Sequence, residues 1–380
     1  MKSKVKSKKP YPDFPLFLHQ TGQWAKKVRG KLFYFGKDPD AALKKWLDEK
    51  DDLKAKRTPR ARGDGLTVRV LANAFLNAKT SLLNSDELSP RTWRDYYATC
   101  ETLVEVFGKE QPVSMLNGAD FERLRTKLAT TRGAVALGNE IQRVRSIFGY
   151  AWDETLIDKP VRFGASFKKP SRKAIRKARN ERGSRMVEAE DLRKLIDTAD
   201  GSMKAMILLA INCGFGQSDI SELPKSAIDL KSGWCNFPRP KTEIVRRCPL
   251  WPETVDALKV AIAARPKAKS PVDDRLAFLT RFGVAWVRMN AHENKPSVPI
   301  DSVGLEFGKL VKATGIPRCT FYDLRHVHRT KADGAKDQPA ADFIMGHVPA
   351  GMASNYRHEI ADERLQAVVK VVREWLWPIG

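Results

Sequence analysis

The sequence has few of the residues that hold disulfide frameworks and metal centres. It contains five cysteines and six histidines among 380 residues. The cysteines are scattered, odd in number and never paired as CxxC, which is typical of reduced thiols in a cytoplasmic protein. No zinc site can be assembled at the usual ligand spacing, so we expect no metal.

Long apolar runs and nucleotide-binding loops are also lacking. No apolar stretch approaches the ~18 residues that a membrane-spanning helix needs. The start, MKSKVKSKKPYPDFP, is basic but has no apolar segment, which argues against a secretory signal. We expect residues 1–13 to form a disordered basic tail. No GxxxxGK[ST] loop is present, so ATP chemistry is not expected, and we predict no cofactor.

Acidic residues are scarce relative to basic ones. The chain has 68 Lys and Arg against 45 Asp and Glu, a formal net charge of +23. An excess of this size predicts a polyanionic partner, and double-stranded DNA is the first candidate. An anionic membrane surface is the competing partner, but no basic amphipathic anchor helix is evident.

Residues 14–58 predict a small sheet backed by one helix. Short aromatic segments separated by glycines indicate three strands, and a helix follows them. Basic residues would let this sheet dock in a DNA groove. They are Lys26, Lys27, Arg29 and Lys31. An ordinary small domain with exposed lysines fits the same charges equally well.

Residues 66–165 predict a module of four helices with period 3.6. Ser89 is the expected N-cap of the second helix, and Pro90 stands in its first turn. Three arginines are candidates for phosphate contacts, and solvated helix faces are the equally good alternative. They are Arg91, Arg94 and Arg143.

Residues 166–185 are very basic and contain the breakers Pro170 and Gly183. We predict an interdomain linker, normally solvated, which between two basic domains would also follow a DNA backbone. Its candidate DNA-binding residues are Lys168, Lys169, Arg172, Lys173 and Arg176.

Residues 186–380 predict a larger domain of helices around two or three short strands. The final helix, expected over 361–376, has one apolar face. That face requires a covering surface, either in the same chain or in a neighbouring protomer. Its residues are Leu365, Val368, Val369, Val372 and Leu376.

Two segments near the end, FYDLRHVHRT and IMGHVPAGMASNYRHEI, gather Arg325, His347 and Tyr356. A phenol oxygen can attack a phosphodiester and form a phosphotyrosyl bond. The planar fork of an arginine binds two non-bridging oxygens, and an imidazole donates a further hydrogen bond or accepts the phenolic proton. A lysine can protonate the leaving 5′ oxygen. No metal or nucleotide is required, because the phosphotyrosyl bond conserves the energy of the broken one.

Four segments resemble the tyrosine recombinase (phage integrase) family. FYDLRHVHRT is similar to the helix with the HxxR motif, and IMGHVPAGMASNYRH to the L-G-H…Y block. PRPKTEIVRRCPL is similar to the K-T-x…R-x-V-P-L hairpin, and INCGFGQSDISELPKSAIDL to the T-G-L-R-x-S-E-L helix and turn. The resemblance implies Tyr356 as nucleophile, Lys241 as general acid, and Arg325 and His347 as stabilisers of the transition state.

The resemblance also implies a fold and a biological setting. The fold would be mainly α with small β-sheets. It would comprise an arm-type DNA-binding module (14–58), a helical, SAM-like core-binding domain (66–165) and an α+β catalytic domain (186–380). The implied activity is site-specific recombination or integration for a mobile genetic element of bacterial or phage context. The enzyme would work in the cytoplasm at the nucleoid, as a dimer or tetramer on DNA joined through the last helix.

The chain departs from the family at two positions. Gly216 stands where the family has its first arginine, and Tyr322 where HxxR has its histidine. Candidates to support the site are Tyr322, His326, Gln217, Arg239, Arg246 and Arg247. Three interpretations follow: another arginine fills the place, the enzyme is slow or active only when assembled on DNA, or the chain is a non-catalytic DNA-binding relative. A type IB topoisomerase, which shares the chemistry, is a further alternative.

Overall fold

The structure is a computed structural model, and it describes residues 9–54, 65–183, 186–292, 295–347 and 360–378. The chain divides into two compact units, the first ending at Arg179 and the second beginning at Asn180. The described residues are mostly helical with small antiparallel sheets, which confirms the predicted fold class. None of the described helices is both long and apolar enough to cross a membrane.

The first unit begins with a three-stranded antiparallel sheet backed by a helix. Its strands, in the spatial order β1-β2-β3, are followed by the helix α1: Phe17–Leu18 (β1), Trp24–Val28 (β2), Lys31–Gly36 (β3) and Pro39–Lys54 (α1). Phe35 of the sheet meets Trp46 of α1 edge to face at 5.6 Å, in a core that also buries Phe14 and Leu53.

Two details of this sheet differ from the sequence expectation. Arg29 and Gly30 form the β2–β3 turn with φ of 48° and 88°, as in a type I′ hairpin. Arg29 therefore lies at the hairpin tip and not on a strand. Residues 9–13, expected in a disordered tail, are exposed but make local contacts: the Tyr11 ring meets Phe14 at 5.3 Å, and Lys9 donates to the Phe14 carbonyl at 3.0 Å. Residues 1–8 lie outside the described part.

The same unit continues with the four predicted helices. They are Val68–Asn84 (α2), Pro90–Phe107 (α3), Gly118–Thr131 (α4) and Ala134–Asp153 (α5). Ser89 caps α3 as expected, accepting a hydrogen bond from the Thr92 amide, with Pro90 in the first turn. Phe121 is completely buried and meets the rings of Phe148 and Phe163 at 5.3 and 4.8 Å. The buried aromatic stripes of the helices thus build one core.

The stretch predicted as a linker over 166–185 contains a helix, Arg172–Arg182 (α6). Pro170 and Gly183 lie on either side of it, and Ser171 accepts a hydrogen bond from the Ala174 amide at 3.1 Å. Between the breakers stand arginine, lysine, alanine and glutamate, which favour helix strongly. The high charge does not prevent the helix, because its side chains can extend into solvent.

The second unit surrounds a helix whose last eight residues are all buried. Its first elements are Ala189–Thr198 (α7), Gly201–Asn212 (α8), Gln217–Glu222 (α9), Ile228–Asp229 (β4), Trp234–Asn236 (β5), Arg247–Pro249 (β6) and Pro252–Ala263 (α10). Strands β4, β5 and β6 form one antiparallel sheet. Every residue of α8 from Ala205 to Asn212 is buried, so helices and sheet must cover it on all sides.

The remaining elements include a hairpin and a short helix to which the sequence analysis assigned no structure. They are Val287–His292 (β7), Lys295–Asp301 (β8), Ser302–Thr314 (α11), Phe321–Ala332 (α12), Gln338–Met345 (α13) and Asp362–Leu376 (α14). The missed elements are the hairpin β7–β8 and the helix α13. Strands β7 and β8 contain few of the β-branched and aromatic residues that predict a strand.

The apolar face of α14 is buried within its own chain. Leu365, Val368, Val372 and Leu376 have no exposed surface. Trp251 donates to the carbonyl of Val369 at 3.0 Å. Of the two arrangements that the sequence left open, the structure has the one in which the chain itself covers this face. Docking of this helix on a neighbouring protomer, which the family resemblance implies, stays a prediction.

Candidate active site

The turn between α8 and α9 forms one wall of the candidate site. Gly214 has φ of +66°, and a Cβ there would lie 2.9 Å from Cδ2 of His328, so both backbone and space require glycine. Two residues on, the Gly216 amide donates to Oδ2 of Asp219 at 2.7 Å, which satisfies a free amide at the start of α9. The turn therefore presents the Gly214 carbonyl and the Asp219 carboxylate to the same region.

Arg325 is held at the centre by groups from three segments. It lies on the buried side of α12 with 3% of its surface exposed. Its guanidinium donates to the Gly214 carbonyl, to the Met345 carbonyl at 2.9 Å, and approaches Nε2 of His347 at 3.1 Å. Burial lowers the arginine's pKa to about 10, and nearby Asp219 partly offsets the effect of burial while Arg239 adds to it. Arg325 is thus charged and oriented without a full counter-charge.

His347 follows α13, which ends at Gly346 in the left-handed conformation. A guanidinium can only donate, so Nε2 of His347 must accept from Arg325. The proton then belongs on Nδ1, which lies 3.3 Å from Oδ1 of Asp342. Burial, followed by the charge of Arg325, lowers the pKa of His347, and the hydrogen bond to Asp342 acts in the opposite direction. The imidazole is therefore neutral at neutral pH.

Arg246, just before β6, is the most enclosed of the basic residues here, with 1% of its surface exposed. Nε donates to the Phe237 carbonyl at 2.7 Å, and Nη2 donates to Asp219 at 2.8 Å. The guanidinium also lies over the Phe215 ring at 4.1 Å. Nη1 has no hydrogen-bond partner in the described residues. Arg246 and Arg325 thus share Asp219, whose Oδ2 is 3.9 Å from Nη1 of Arg325.

The segment between β5 and β6 reaches the turn in front of His347. Arg239 Nη1 donates to the Gly346 carbonyl at 3.3 Å, and the Thr242 hydroxyl donates to the same oxygen at 3.4 Å. Lys241 stands between them in sequence and is exposed. The segment thereby brings a lysine beside the stretch that carries His347.

Both departures from the family lie next to each other. A Cβ added to Gly216 would be 3.7 Å from the Tyr322 ring and 3.4 Å from Oδ2 of Asp219. Tyr322 is 41% exposed, and its ring meets His326 edge to face at 5.2 Å. These two residues form the solvent side of α12, opposite the buried face that carries Arg325. Position 216 itself is buried and supplies no guanidinium to the site.

Two of the proposed supporting residues lie elsewhere. Arg247 binds Asp362 at 3.0 Å and lies over the Trp234 ring at 4.0 Å, because successive residues of a strand face opposite sides. Gln217 reaches Asp301 at 3.4 Å, where it lines a 560 Å³ hollow beside α11. Neither side chain joins the cluster around Arg325. Tyr356 lies outside the described residues, as does the whole of 348–359.

Two carboxylates of the site were not predicted from the sequence. Asp219 contacts Arg246 and the Gly216 amide, and Asp342 orients His347. A signal existed for Asp219, because it stands three residues after the loop glycine at the start of a helix, where a carboxylate commonly caps. Asp342 sits in a helix to which the sequence analysis assigned no structure, so its approach to His347 could not be expected.

The candidate DNA-binding residues of the first sheet differ in exposure and in whether their side chains are already bonded within the protein. Lys27, Arg29 and Lys31 are exposed. Lys26 instead donates to the Pro15 carbonyl at 2.6 Å and lies 5.6 Å from the Trp46 ring. It therefore holds the first strand to the core rather than facing a ligand.

The helical candidates also fall into two groups. Arg143 is engaged by Asp95 at 2.5 Å and Glu140 at 3.1 Å, and Arg94 is half-buried over the Tyr97 ring at 5.6 Å. The exposed candidates are Arg91, Lys168, Lys169, Arg172, Lys173 and Arg176. The exposed ones can contact phosphate without breaking an internal bond, whereas Arg143 cannot.

The protein is mainly helical, and its second unit holds a cluster with more guanidinium groups than carboxylates. Such an excess of positive charge is typical of a site that binds an oxyanion. Residues 185–363 match the model described as the phage integrase family. The match lies in the second unit and supports its assignment to the phage integrase family of tyrosine recombinases. No curated protein matches the chain by sequence.

Solved structures share the fold at low sequence identity. A lambda integrase dimer bound to a COC′ core site has a TM-score of 0.57 at 15% identity, over 94% of this chain and 99% of that one. A lambda integrase tetramer bound to a Holliday junction has a TM-score of 0.56 at 16% identity, over 93% and 98%. The Tn1549 transposon integrase in complex with a circular intermediate DNA has a TM-score of 0.57 at 17% identity, over 80% and 99%.

Proposed function

We propose that the chain is a site-specific DNA recombinase that cuts and rejoins duplex DNA through a 3′-phosphotyrosyl intermediate. The observation that carries the proposal is the pairing of Arg325 with neutral His347, in a site with more guanidinium groups than carboxylates. The match of residues 185–363 to the phage integrase family supports this reaction class. The segment that follows His347 carries Tyr356.

Each side chain has a defined part in the proposed step. The phenolic oxygen of Tyr356 bonds to the scissile phosphorus, and the bond from phosphorus to the 5′ oxygen breaks. When Arg325 turns from the imidazole to the non-bridging phosphate oxygens, the lone pair of His347 Nε2 becomes available and accepts the phenolic proton. Lys241 gives a proton to the departing 5′ oxygen. Arg325 stabilises the charge on the non-bridging oxygens. Attack by a 5′ hydroxyl of another strand reverses these steps and rejoins the DNA.

The domain roles and assembly belong to the same proposal. The sheet of residues 14–54 would bind one DNA segment through Lys27, Arg29 and Lys31. The four-helix module and α6 would bind the segment that is cut. The related lambda integrases are a dimer and a tetramer on DNA, and we expect this chain to self-associate on DNA as well. Because the apolar face of α14 is buried in its own chain, that helix can take part only through its polar face or after release.

A nicked duplex tests the reaction. Duplexes enriched by the protein from a random-sequence library are remade with a single nick at successive positions, so that the short 5′-hydroxyl product of cleavage diffuses away. Unaltered protein should accumulate a covalent adduct that survives denaturation, and Tyr356→Phe should form none while binding the same duplex. Binding without an adduct from the unaltered protein would contradict the proposal. It would favour the non-catalytic DNA-binding alternative, which the departures from the family at Gly216 and Tyr322 also favour.

A second measurement separates the two enzymatic alternatives. Strand exchange between two labelled duplexes that each carry the enriched site indicates recombination. Relaxation of a supercoiled plasmid without any exchange would instead indicate a topoisomerase of type IB chemistry.

A further inference from the structure

Gly216 leaves the candidate site without the guanidinium that the family places there, and the structure offers two arginines near that place. Arg246 and Arg239 both contact the surroundings of Gly346: an added Cβ on this glycine would be 2.8 Å from Cβ of Arg239 and 3.4 Å from Cδ of Arg246. Both arginines also act electrostatically on Arg325. The two differ in how far their donors are already used.

Arg246 is fixed in place. Two of its three nitrogens are engaged, by Phe237 and Asp219, and aromatic rings lie 4.1 and 5.3 Å from its guanidinium carbon. Its ion pair with Asp219 is almost completely withdrawn from solvent, with side-chain exposures of 1% and 11%. The remaining nitrogen, Nη1, is buried and has no partner among the described residues, so a phosphate cannot reach it without a rearrangement. Arg246 therefore positions Asp219 and adds a positive charge to the site without contacting the substrate.

Arg239 has fewer contacts than Arg246, and its side chain lies against the turn that precedes His347. It is half-buried, and its one side-chain hydrogen bond to the described residues is the 3.3 Å contact with the Gly346 carbonyl. Arg325 binds the preceding carbonyl, that of Met345, at 2.9 Å. Two guanidinium groups thus donate hydrogen bonds to consecutive carbonyls of the turn that leads into His347. Arg239 also stands two residues before Lys241.

The charges around this turn are incomplete without an anion. Arg239, Arg246 and Arg325 contribute three positive charges, and Asp219 is the one carboxylate among the described residues that contacts them. The second nearby carboxylate, Asp342, is engaged by His347 at 3.3 Å and approaches Arg329 at 3.9 Å. A phosphodiester at this turn would supply the missing negative charge.

We infer that Arg239 replaces the arginine absent at position 216, and that its guanidinium contacts a non-bridging oxygen of the scissile phosphate. The inference rests on the proposed function and names a residue of the same site. It assigns Arg246 a positioning role through Asp219. The substitution of one arginine by another from the β5–β6 segment explains how the site can do without a side chain at Gly216.

Single substitutions give the first test, with cleavage of the nicked duplex as the readout. Arg239→Ala should cut at a rate 10²- to 10³-fold lower, the usual loss when one transition-state donor is removed. Arg288→Ala is the matched control, because Arg288 is half-buried and also has one hydrogen bond to a carbonyl, that of Ala285 at 3.1 Å. It should stay within about threefold of the unaltered rate. Unchanged thermal unfolding and circular dichroism of both variants verify that they fold.

Restoring the family arginine gives the second test. Gly216 has φ of −94°, and its nearest neighbours would stand 3.4 and 3.7 Å from an added Cβ, so backbone and Cβ tolerate a side-chain-bearing residue. Gly216→Arg in the Arg239→Ala background should recover at least about tenfold of the lost rate. The same change in the unaltered chain should bring little gain, because the position's function is already supplied.

A neutral substrate gives the third test. Where a methyl group replaces one non-bridging oxygen of the scissile phosphate, the charge that Arg239 would stabilise is gone. The defect of Arg239→Ala should then shrink by at least about tenfold relative to the ordinary phosphodiester. A defect of equal size on both substrates, or an Arg239→Ala rate within threefold of the unaltered protein, would overturn the inference alone. Absence of any adduct with the unaltered protein would overturn the proposed function and this inference together.

Discussion

Arg246→Met is the perturbation that most directly tests the internal architecture of the site. Methionine preserves most of the apolar length of the side chain but removes the charge and the donors. Asp219, with 11% of its side chain exposed, would then lose its closest counter-charge, and the Phe237 carbonyl would lose its 2.7 Å donor. Removing one member of a buried ion pair typically costs about 3–5 kcal/mol, and we expect the free energy of unfolding of the second unit to fall by that amount.

Hydrogen exchange measured by mass spectrometry on the full chain suits this prediction, because peptides of α8 and α10 report on the second unit alone. Arg239→Met is the matched control: it removes the same charge from a half-buried side chain with a single 3.3 Å hydrogen bond, and should cost less than about 1 kcal/mol. If Arg246→Met costs no more than this control, the buried ion pair does not stabilise the site as described.

A second substitution isolates the ionic contribution. Asp219→Asn removes the stranded carboxylate charge but keeps an oxygen that can accept from the Gly216 amide. Combined with Arg246→Met it should recover about 1–2 kcal/mol relative to Arg246→Met alone. Simple additivity of the two losses would refute the reasoning, because it would mean that Asp219 and Arg246 act independently.

Three further outcomes are expected. Burial lowers the pKa of His328 from 6.5 to about 4, so the stability that its neutral form contributes is complete above pH 6.5 and is lost as the pH falls toward 4. The difference in unfolding free energy between the unaltered protein and His328→Gln should therefore change by about 3 kcal/mol between pH 7 and 4. Hydrogen exchange of the second unit measures it, and a constant difference would refute this. Ser89→Ala removes the cap of α3 and should cost the helical module about 1 kcal/mol, seen as faster exchange in α3 peptides and absent in Ser81→Ala. DNA affinity should fall by at least about 10³-fold between 50 and 200 mM salt, and a shallow slope in fluorescence anisotropy would contradict the broad phosphate contact that we propose.

The sequence predicted the helices well because their signals are local. The period of apolar residues in α2 to α5 and the Ser89–Pro90 pair at the start of α3 need no knowledge of distant contacts. The helix α6 was missed for the opposite reason. High charge and flanking breakers suggested a linker, whereas Ser171 and a run of strong helix formers determined the local structure.

Two features of the site could not be predicted from local pattern. Adjacent arginines 246 and 247 are alike in sequence, but one is buried against Asp219 and the other binds Asp362. Which face of β6 meets α9 depends on tertiary packing alone. The apolar face of α14 is the second case: periodicity showed that it must be covered, and only the packing of α7, α8, α12 and α13 shows that its own chain covers it.

The most direct test of the central claim is to identify the residue that becomes joined to DNA. Adduct trapped on the nicked duplex is digested with nuclease and protease, and the modified peptide is sequenced by mass spectrometry. We expect a nucleotide remnant on the oxygen of Tyr356. Reactions of Arg325→Ala should lack this modified peptide. A remnant on any other residue, or an adduct that persists in Tyr356→Phe, would contradict it.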